Sequence, residues 1–390
     1  LASPHVEGRR PRKGKALKSV QNILVVGGGI TGTIAALALH QQGKKVTLLE
    51  RSEHWHGVGH GITVQGNALR ALRTIGALEK ILDKAHPFTD LELRHAEGHV
   101  LTIVDTPRTG GPDLPPTMGA LRSDIQDVLV DMIHQAGIQV HLGTTMTGFQ
   151  NLEHGVRTQL SNGERAEFDL VVVADGINSK TRRLMGITHE KKPSGLGIWR
   201  VVTNRSEQMD CAAVFHHGPE HKAGYTPISK DLCYAYVLTD PVRPDNSLSD
   251  TEEVKRLMAG YHGPFDFIRE SITDATVKNF QPIEWLFVDD ESWRDGRVLL
   301  IGDAVHACPP LIAQGAAQCC EDAILLADYL GRTGAVDALL DEFIARRKKR
   351  VAGVMEASMQ LAEWELHPEQ EGIDTAGVMA AALQALTHAA

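Results

Sequence analysis

The sequence predicts an α/β architecture: a parallel-sheet domain split along the chain, an inserted α+β domain on a mostly antiparallel sheet, and C-terminal helices. Three observations carry this. A strand, a glycine-rich turn, a helix and a second strand follow one another between Val20 and Glu50. From about Gly186 to Glu284 helical periodicity fades, and aromatic and β-branched residues alternate with turn residues. At 297–301 (RVLLI) buried-strand character returns, ahead of a long small-residue helix. With 390 residues the chain exceeds the ~100–200 of one domain, so two packed domains are expected.

The elements follow in order. Residues 20–26 (VQNILVV) form an apolar strand, 30–41 an Ala/Leu-rich helix stopped at Gly43, and 45–50 (KVTLLE) a second strand. A glycine-rich loop at 56–66 leads to a helix over 68–82, and 106–116 is a Pro/Gly-rich connection. Residues 123–136 read as a helix with Ser123 as N-cap, 139–142 as a strand, and 170–174 (LVVVA) as a buried strand. Within the insert, 250–261 reads as a helix; beyond it, 314–330 is a long helix, and helices continue to the end. The last of these, 375–390, has an apolar face read as core packing. The expected ranges are 20–90, 115–185 and 286–330 for the parallel-sheet domain, 91–114 and 186–285 for the insert, and 331–390 for the closing helices.

Composition excludes some classes. A net charge of −9 argues against a dedicated nucleic-acid binder. The exception is the start, where Arg9, Arg10, Arg12, Lys13, Lys15 and Lys18 face one acid, Glu7; residues 1–19 are expected to be a flexible leader. No apolar run follows it as in a secretory signal, and none reaches the ~18 residues of a membrane span. Cys211, Cys233, Cys308, Cys319 and Cys320 are odd in number and show no zinc-like pairing. The expectation is a reduced, cytoplasmic monomer or homodimer without a metal site.

The chemistry sits in three segments. Gly27-Gly28-Gly29-Ile30-Thr31-Gly32 satisfies G-x-G-x-x-G between a strand and a helix, the Rossmann-like arrangement for a dinucleotide pyrophosphate. Glu50, ending the next strand about twenty residues on, suits the adenosine ribose. That leaves NAD or FAD. Asp175-Gly176 ends another apolar strand, and Gly302-Asp303 ends a third, followed by Pro309, Pro310 and a helix opening near Gly315.

That order, with the "QGAAQ…EDA" helix, resembles the single-component FAD-dependent aromatic hydroxylases, the para-hydroxybenzoate and salicylate hydroxylase family. The "GNALRAL" stretch is similar to urate and 6-hydroxynicotinate hydroxylases, although the chain departs from nicotinate-hydroxylating relatives at Thr63. The resemblance runs over about 23–329 and is thinnest across the insert. It implies non-covalent FAD, with Gly27, Gly29, Gly32, Glu50 and Arg51 on the ADP half, Arg122 as an arginine that contacts FAD, Asp303 as a ribityl or pyrophosphate ligand, and Gly315 and Ala316 as flavin-edge amides. Ile30, Thr31, Gly61, Ile62, Met146, Pro310 and Ala317 complete the expected cofactor contacts, and Asp175 and Gly176 match the segment implicated in both FAD and nicotinamide binding.

The implied reaction is hydroxylation of a small aromatic or N-heteroaromatic compound through a C4a-hydroperoxyflavin, using O2 and NADPH or NADH as a transient co-substrate. The absence of a second G-x-G-x-x-G on a strand–helix unit agrees with a visiting nicotinamide. Candidate substrate-side residues are His60, Arg200, His217 and Tyr225, chosen as a possible base and grips for a phenol or carboxylate. Halogenase, reductase and non-catalytic FAD-binding readings stay open; Trp199 stands alone, without a halogenase-type tryptophan pair.

Overall fold

The computed structural model describes residues 20–55, 59–243, 247–289 and 292–390; the basic segment expected as a leader lies outside the described residues. The chain opens with β1 (Asn22–Val26), α1 (Ile30–Gln41) and β2 (Lys45–Leu49), then β3 (Gly61–Gln65), α2 (Gly66–Thr74), α3 (Leu78–Leu82) and β4 (His86–Phe88). The hairpin β5 (Asp90–His95) and β6 (Val100–Asp105) precedes β7 (Thr117–Leu121), α4 (Arg122–Gln135) and β8 (Gln139–His141). A meander of β9 (Met146–Leu152), β10 (Gly155–Leu160) and β11 (Arg165–Phe168) leads to β12 (Leu170–Val173) and α5 (Lys180–Leu184). The insert follows with β13 (Lys192–Asn204), β14 (Ala212–His216), β15 (Lys222–Pro227), β16 (Leu232–Thr239), α6 (Asp250–Leu257), α7 (Pro264–Ser271) and β17 (Val277–Trp285). The chain closes with β18 (Arg294–Asp295), β19 (Val298–Leu300), α8 (Asp303–His306), α9 (Gly315–Gly331), α10 (Val336–Leu366) and α11 (Thr375–Ala385).

Two sheets organise the molecule. The first runs β18-β19-β12-β1-β2-β8, parallel from β19 to β8 with β18 antiparallel at the edge. Residues Ile23–Val26 and Leu170–Val173 are buried, as strands covered on both faces must be. The second runs β17-β13-β16-β15-β14-β5-β6 and is antiparallel except where β14 lies parallel to β5. This is the discontinuous Rossmann-like fold with an inserted, mostly antiparallel sheet and C-terminal helices. Two local expectations change. The helix expected over 68–82 is broken after Thr74, because Gly76 takes a left-handed φ of 76°. Helix α4 starts at Arg122 with Leu121 at the N-cap, so Ser123 lies inside the helix and caps nothing.

Helices α1 and α9 pack together, and small residues of both, Ala35 and Ala38 on one and Ala317, Cys320 and Ala323 on the other, are buried in the same core. The five cysteines are unpaired, and Cys319 and Cys320 are buried on α9. Helix α10, with 31 residues, is about 46 Å long and joins the two domains. Its first half, with Phe343 and Ile344, belongs to the core of the parallel sheet. Its second half, with Val354 and Leu361, packs with Ile198 and Leu238 of the insert. Among the described residues no helix is long and apolar enough to cross a membrane.

Between α9 and α10 lies a fully buried ion network. Asp322 accepts from Gly302 N (2.7 Å), from His306 Nε2 (2.6 Å) and from Arg347 Nε (2.6 Å). Arg347 also donates to Glu321 (3.0 Å) and to the Gln318 side chain (2.8 Å), and Arg350 donates to both oxygens of Glu321. Burial pushes the Asp322 carboxyl up, but His306 and Arg347 outweigh it and hold it near 2. Arg347 and Asp322 have no exposed side-chain surface, so removing one partner strands the other charge. Arg347→Met is expected to destabilise the protein by about 3–5 kcal/mol, read as a lowered urea midpoint; a loss below about 1 kcal/mol would contradict this account.

Candidate active site

The glycine loop after β1 is shaped by its neighbours. Gly27 has φ 110° and approaches Ala174, so a β-carbon there would overlap the Ala174 carbonyl; one on Gly32 would overlap the Gly27 carbonyl. Gly29 is different. Its backbone (φ −73°, ψ −178°) suits any residue, and a β-carbon there would meet nothing within 4 Å. The protein's own packing does not require glycine at 29; the space is left for something that is not protein. No side chain caps α1, so the amides of Ile30 and Thr31 in its first turn carry the helix's positive end toward that space.

Glu50 holds the loop from the next strand: Oε2 accepts from Gly28 N (2.8 Å) and Oε1 from Ser52 N (2.8 Å). The Gly28 carbonyl in turn accepts from Trp55 Nε1 (2.6 Å) and Gln126 Nε2 (2.9 Å). Sequence reasoning missed Trp55 and Gln126; the signal for Gln126 was its place one helical turn after Arg122. Arg51 is exposed beside this loop.

The other two motifs end strands of the same sheet at the same edge. Gly302 (φ 63°) lies against Thr31, with its amide anchored on Asp322, and Asp303 is exposed at the start of α8, near Cys319 Sγ (3.5 Å). Asp175 accepts from Thr181 N and Oγ1 through Oδ2 (3.3 and 3.1 Å), while its buried Oδ1 has no partner. A β-carbon on Gly176 (φ 79°) would likewise meet nothing. Arg182, missed from sequence, braces this turn by donating to Ala304 O (2.9 Å) and Ile177 O (3.0 Å). Helix α9 begins after exposed Pro310 and left-handed Ala313 (φ 51°), and its N-terminus at Gly315 and Ala316 has no side-chain cap; Ala317 is buried behind them. Two uncapped helix starts, the room at Gly29 and the unpartnered oxygen of Asp175 fit an extended dinucleotide such as FAD. Met146 does not belong to this group: it is a fully buried core residue at the start of β9.

The substrate side is decided by the two faces of the insert sheet. One face carries Trp199, Phe215 and Tyr225, buried against Phe265 and Tyr261 from the α6–α7 region. Tyr225, expected as a substrate grip, is therefore a core residue facing away, and its hydroxyl has no partner. His217 is also displaced: it is exposed in the β14–β15 connection, with its ring tilted against that of His95. The opposite face carries Arg200, Tyr234 and Tyr236, and packs through Ile198, Leu238 and Tyr236 on Leu311 and Ile312 of the loop that leads into α9.

On this face, His60, Arg122 and Arg200 come together with Tyr234. Gly61 admits the Tyr234 ring, which a β-carbon would overlap, and Arg122 N donates to His60 O (3.1 Å). Arg200 lies beside Tyr234 and reaches Gln281 (3.4 Å). Desolvation first, then Arg122 and Arg200, push the His60 imidazole down to about 4, and its buried Nδ1 has no partner. Thr63 pairs with Thr226 (2.9 Å) between β3 and β15, and Ile62 is partly buried beside it.

Gly29→Val tests the fit at the glycine loop. The apo protein should melt as the wild type does, while FAD affinity falls about tenfold or more, equivalent to about 1.4 kcal/mol, in a flavin-fluorescence titration. Unchanged FAD affinity would show that the open space beside Gly29 is not the cofactor's path.

Comparison with known proteins agrees with this geometry. The family described as FAD binding domain matches residues 21–358. The chain is 27% identical over 354 residues to the putative FAD-dependent monooxygenase YetM of Bacillus subtilis, covering 90% of this chain and 95% of that protein. It is 30% identical over 352 residues to 2-heptyl-3-hydroxy-4(1H)-quinolone synthase of Pseudomonas aeruginosa, covering 88% and 90% respectively. Among solved structures, the tetrameric form of 2-methyl-3-hydroxypyridine-5-carboxylic acid oxygenase is similar with a TM-score of 0.78 at 25% identity, covering 96% of both chains. Klebsiella pneumoniae HpxO complexed with FAD and uric acid shares the fold with a TM-score of 0.78 at 22% identity, covering 94% of this chain and 92% of that one. The chain belongs to the FAD-binding monooxygenase family and closely matches its aromatic-hydroxylase-like members.

Proposed function

We propose that this chain uses NADH or NADPH and O2 to hydroxylate a small N-heteroaromatic or phenolic compound that carries an ionisable oxygen. The carrying observation is a half-buried histidine, His60, kept neutral by burial beside Arg122 and Arg200, where the start of β3 meets Tyr234 of the insert sheet. The similarity to a 2-heptyl-3-hydroxy-4(1H)-quinolone synthase and to a 2-methyl-3-hydroxypyridine-5-carboxylic acid oxygenase supports the heteroaromatic class. FAD, when bound, supplies hydride acceptance from the nicotinamide and activation of oxygen.

The chain's own residues do the rest. Gly27, Gly29, Gly32 and the first turn of α1 hold the pyrophosphate, Glu50 the ribose, and Asp303 with the first amides of α9 the flavin half. Arg122 and Arg200 attract an anionic or hydroxylated ring to the inner face of the insert sheet. His60, free at Nδ1, accepts the proton of the substrate hydroxyl and raises the electron density of the ring. Tyr234 and the apolar surface of Ile198 and Leu311 keep water from that ring.

Anaerobic mixing with NADH or NADPH should bleach the flavin slowly alone and much faster with the right compound among hydroxyquinolones, hydroxypyridine carboxylates and simple phenols. Rapid bleaching without any aromatic compound would instead mark a reductase. His60→Ala should lower substrate-dependent hydroxylation roughly 100-fold or more while FAD content stays unchanged.

The pH dependence has a definite sign. With its pKa near 4, His60 stays neutral across the physiological range, so it sets no acid limb above about pH 5. Arg200→Gln removes a neighbouring cation, eases protonation of His60, and should move the acid limb of hydroxylation to higher pH. An unmoved limb would remove His60 as the proton acceptor.

A further inference from the structure

The rim of the insert sheet carries a histidine cluster that the proposed chemistry does not use. We propose that His95, Glu97 and His99, with His217 as a fourth ligand, bind a borderline divalent cation of the zinc, nickel or copper class. One ligand atom from each of His95, Glu97 and His99 lies within 4.8 Å of the other two. The His95 and His99 rings are stacked, with centroids 4.9 Å apart and planes 13° from parallel. His217 arrives from the β14–β15 connection, about 120 residues away in sequence, and its ring centroid is 5.4 Å from that of His95.

The turn that presents these groups is fixed by its own backbone. His95 N donates to His99 O (3.0 Å), Gly98 N donates to His95 O (2.8 Å), and Arg94 Nη1 donates to Gly98 O (2.6 Å). Gly98 lies so close to Gly263 that a β-carbon would sit 2.8 Å from the Gly263 nitrogen. His217 adds an independent sign. It holds φ 60°, a left-handed conformation that residues with side chains rarely adopt, and this brings its ring onto His95. Such backbone strain persists where surroundings over-determine it, and it clusters at binding and switching positions.

The donor set selects the ion. Imidazoles with one carboxylate suit zinc, nickel or copper, whereas magnesium and calcium favour all-oxygen sites. Zinc–nitrogen bonds of about 2.0–2.1 Å place tetrahedral donors about 3.4 Å apart, so side-chain rotation of the exposed Glu97, His99 and His217 around half-buried His95 closes the set. The Glu97 amide approaches His95 Nδ1 at 3.2 Å, a long bond that an ion at that nitrogen replaces. The bound ion clips the β5–β6 turn to the β14–β15 connection, where β5 and β14 form the one parallel pair of this sheet among the described residues. Its role is structural, at a distance from the His60 group in the fold.

The test uses the FAD-loaded full chain, stripped with a chelator and titrated with Zn2+ against a chromophoric indicator. One tight equivalent is expected, weakened about a hundredfold in the His95→Ala/His99→Ala variant and about tenfold in His217→Asn, which tolerates the left-handed backbone. His262→Ala, at an exposed neighbouring histidine outside the set, should leave the affinity unchanged. Zinc should raise the melting temperature of the wild type and not of the double variant, whose unchanged flavin absorbance confirms that it is folded. Tight zinc binding that survives the double substitution, or no tight binding by the wild type, overturns the assignment.

Discussion

The arrangement of the site depends on one buried carboxylate. Asp322 lies on α9, yet it receives the Gly302 amide at the end of β19, the His306 ring of α8 and the Arg347 guanidinium of α10. A carboxylate in this position is tolerable only because its oxygens are fully engaged by donors, two of them able to carry charge. The same contacts tie the Gly302-Asp303 turn to the helix whose N-terminus begins at Gly315. The two segments expected to face the flavin are thereby held by one internal group, without side chains at the surface having to do so. Glu321 extends the network to Arg350, Asn67 and Arg70, which brings α2 into the same arrangement.

Helix α10 extends this constraint to the insert. Its buried Arg347 anchors it to α9, and a few turns later Val354 and Leu361 pack on the sheet face that carries Ile198 and Leu238. The Ser358 hydroxyl donates to Pro309 O (2.8 Å), fixing the proline loop from the side of the insert. The face with Arg200, Tyr234 and Tyr236 is therefore set against the proline loop before α9 by packing as well as by polar contacts. The opposite face is closed by α6 and α7 through interlocked aromatic rings, which leaves a single face of the sheet available for chemistry.

Electrostatics then separates similar residues by environment. The chain has 19 histidines, and sequence offered little to rank them. His60 is partly buried beside two guanidiniums and stays neutral; His306 is buried against a carboxylate and serves packing; His95 and His99 cluster with Glu97, and the His217 ring lies against that of His95. The same side chain thus offers a proposed proton acceptor, a structural donor and a candidate metal ligand according to what faces it.

Local spacing determined a good deal. The strand–glycine–helix–strand unit, the return to a buried strand after the insert, the Asp-Gly and Gly-Asp turns and the small-residue helix are all readable because each depends on residues within about a dozen positions of one another. Gly29 and Gly32 are legible for the same reason. What the sequence could not decide was which residues meet across the fold. Tyr225 and Tyr234 look alike in a list of aromatic residues, yet strand register and the packing of α6 and α7 put one in the core and the other beside Arg200. The pairing of His60 with Arg122 and Arg200, and of Asp322 with Arg347, joins segments that only tertiary packing brings together. Burial then gives those pairs their strength, because removing water is what makes a neighbouring charge decisive.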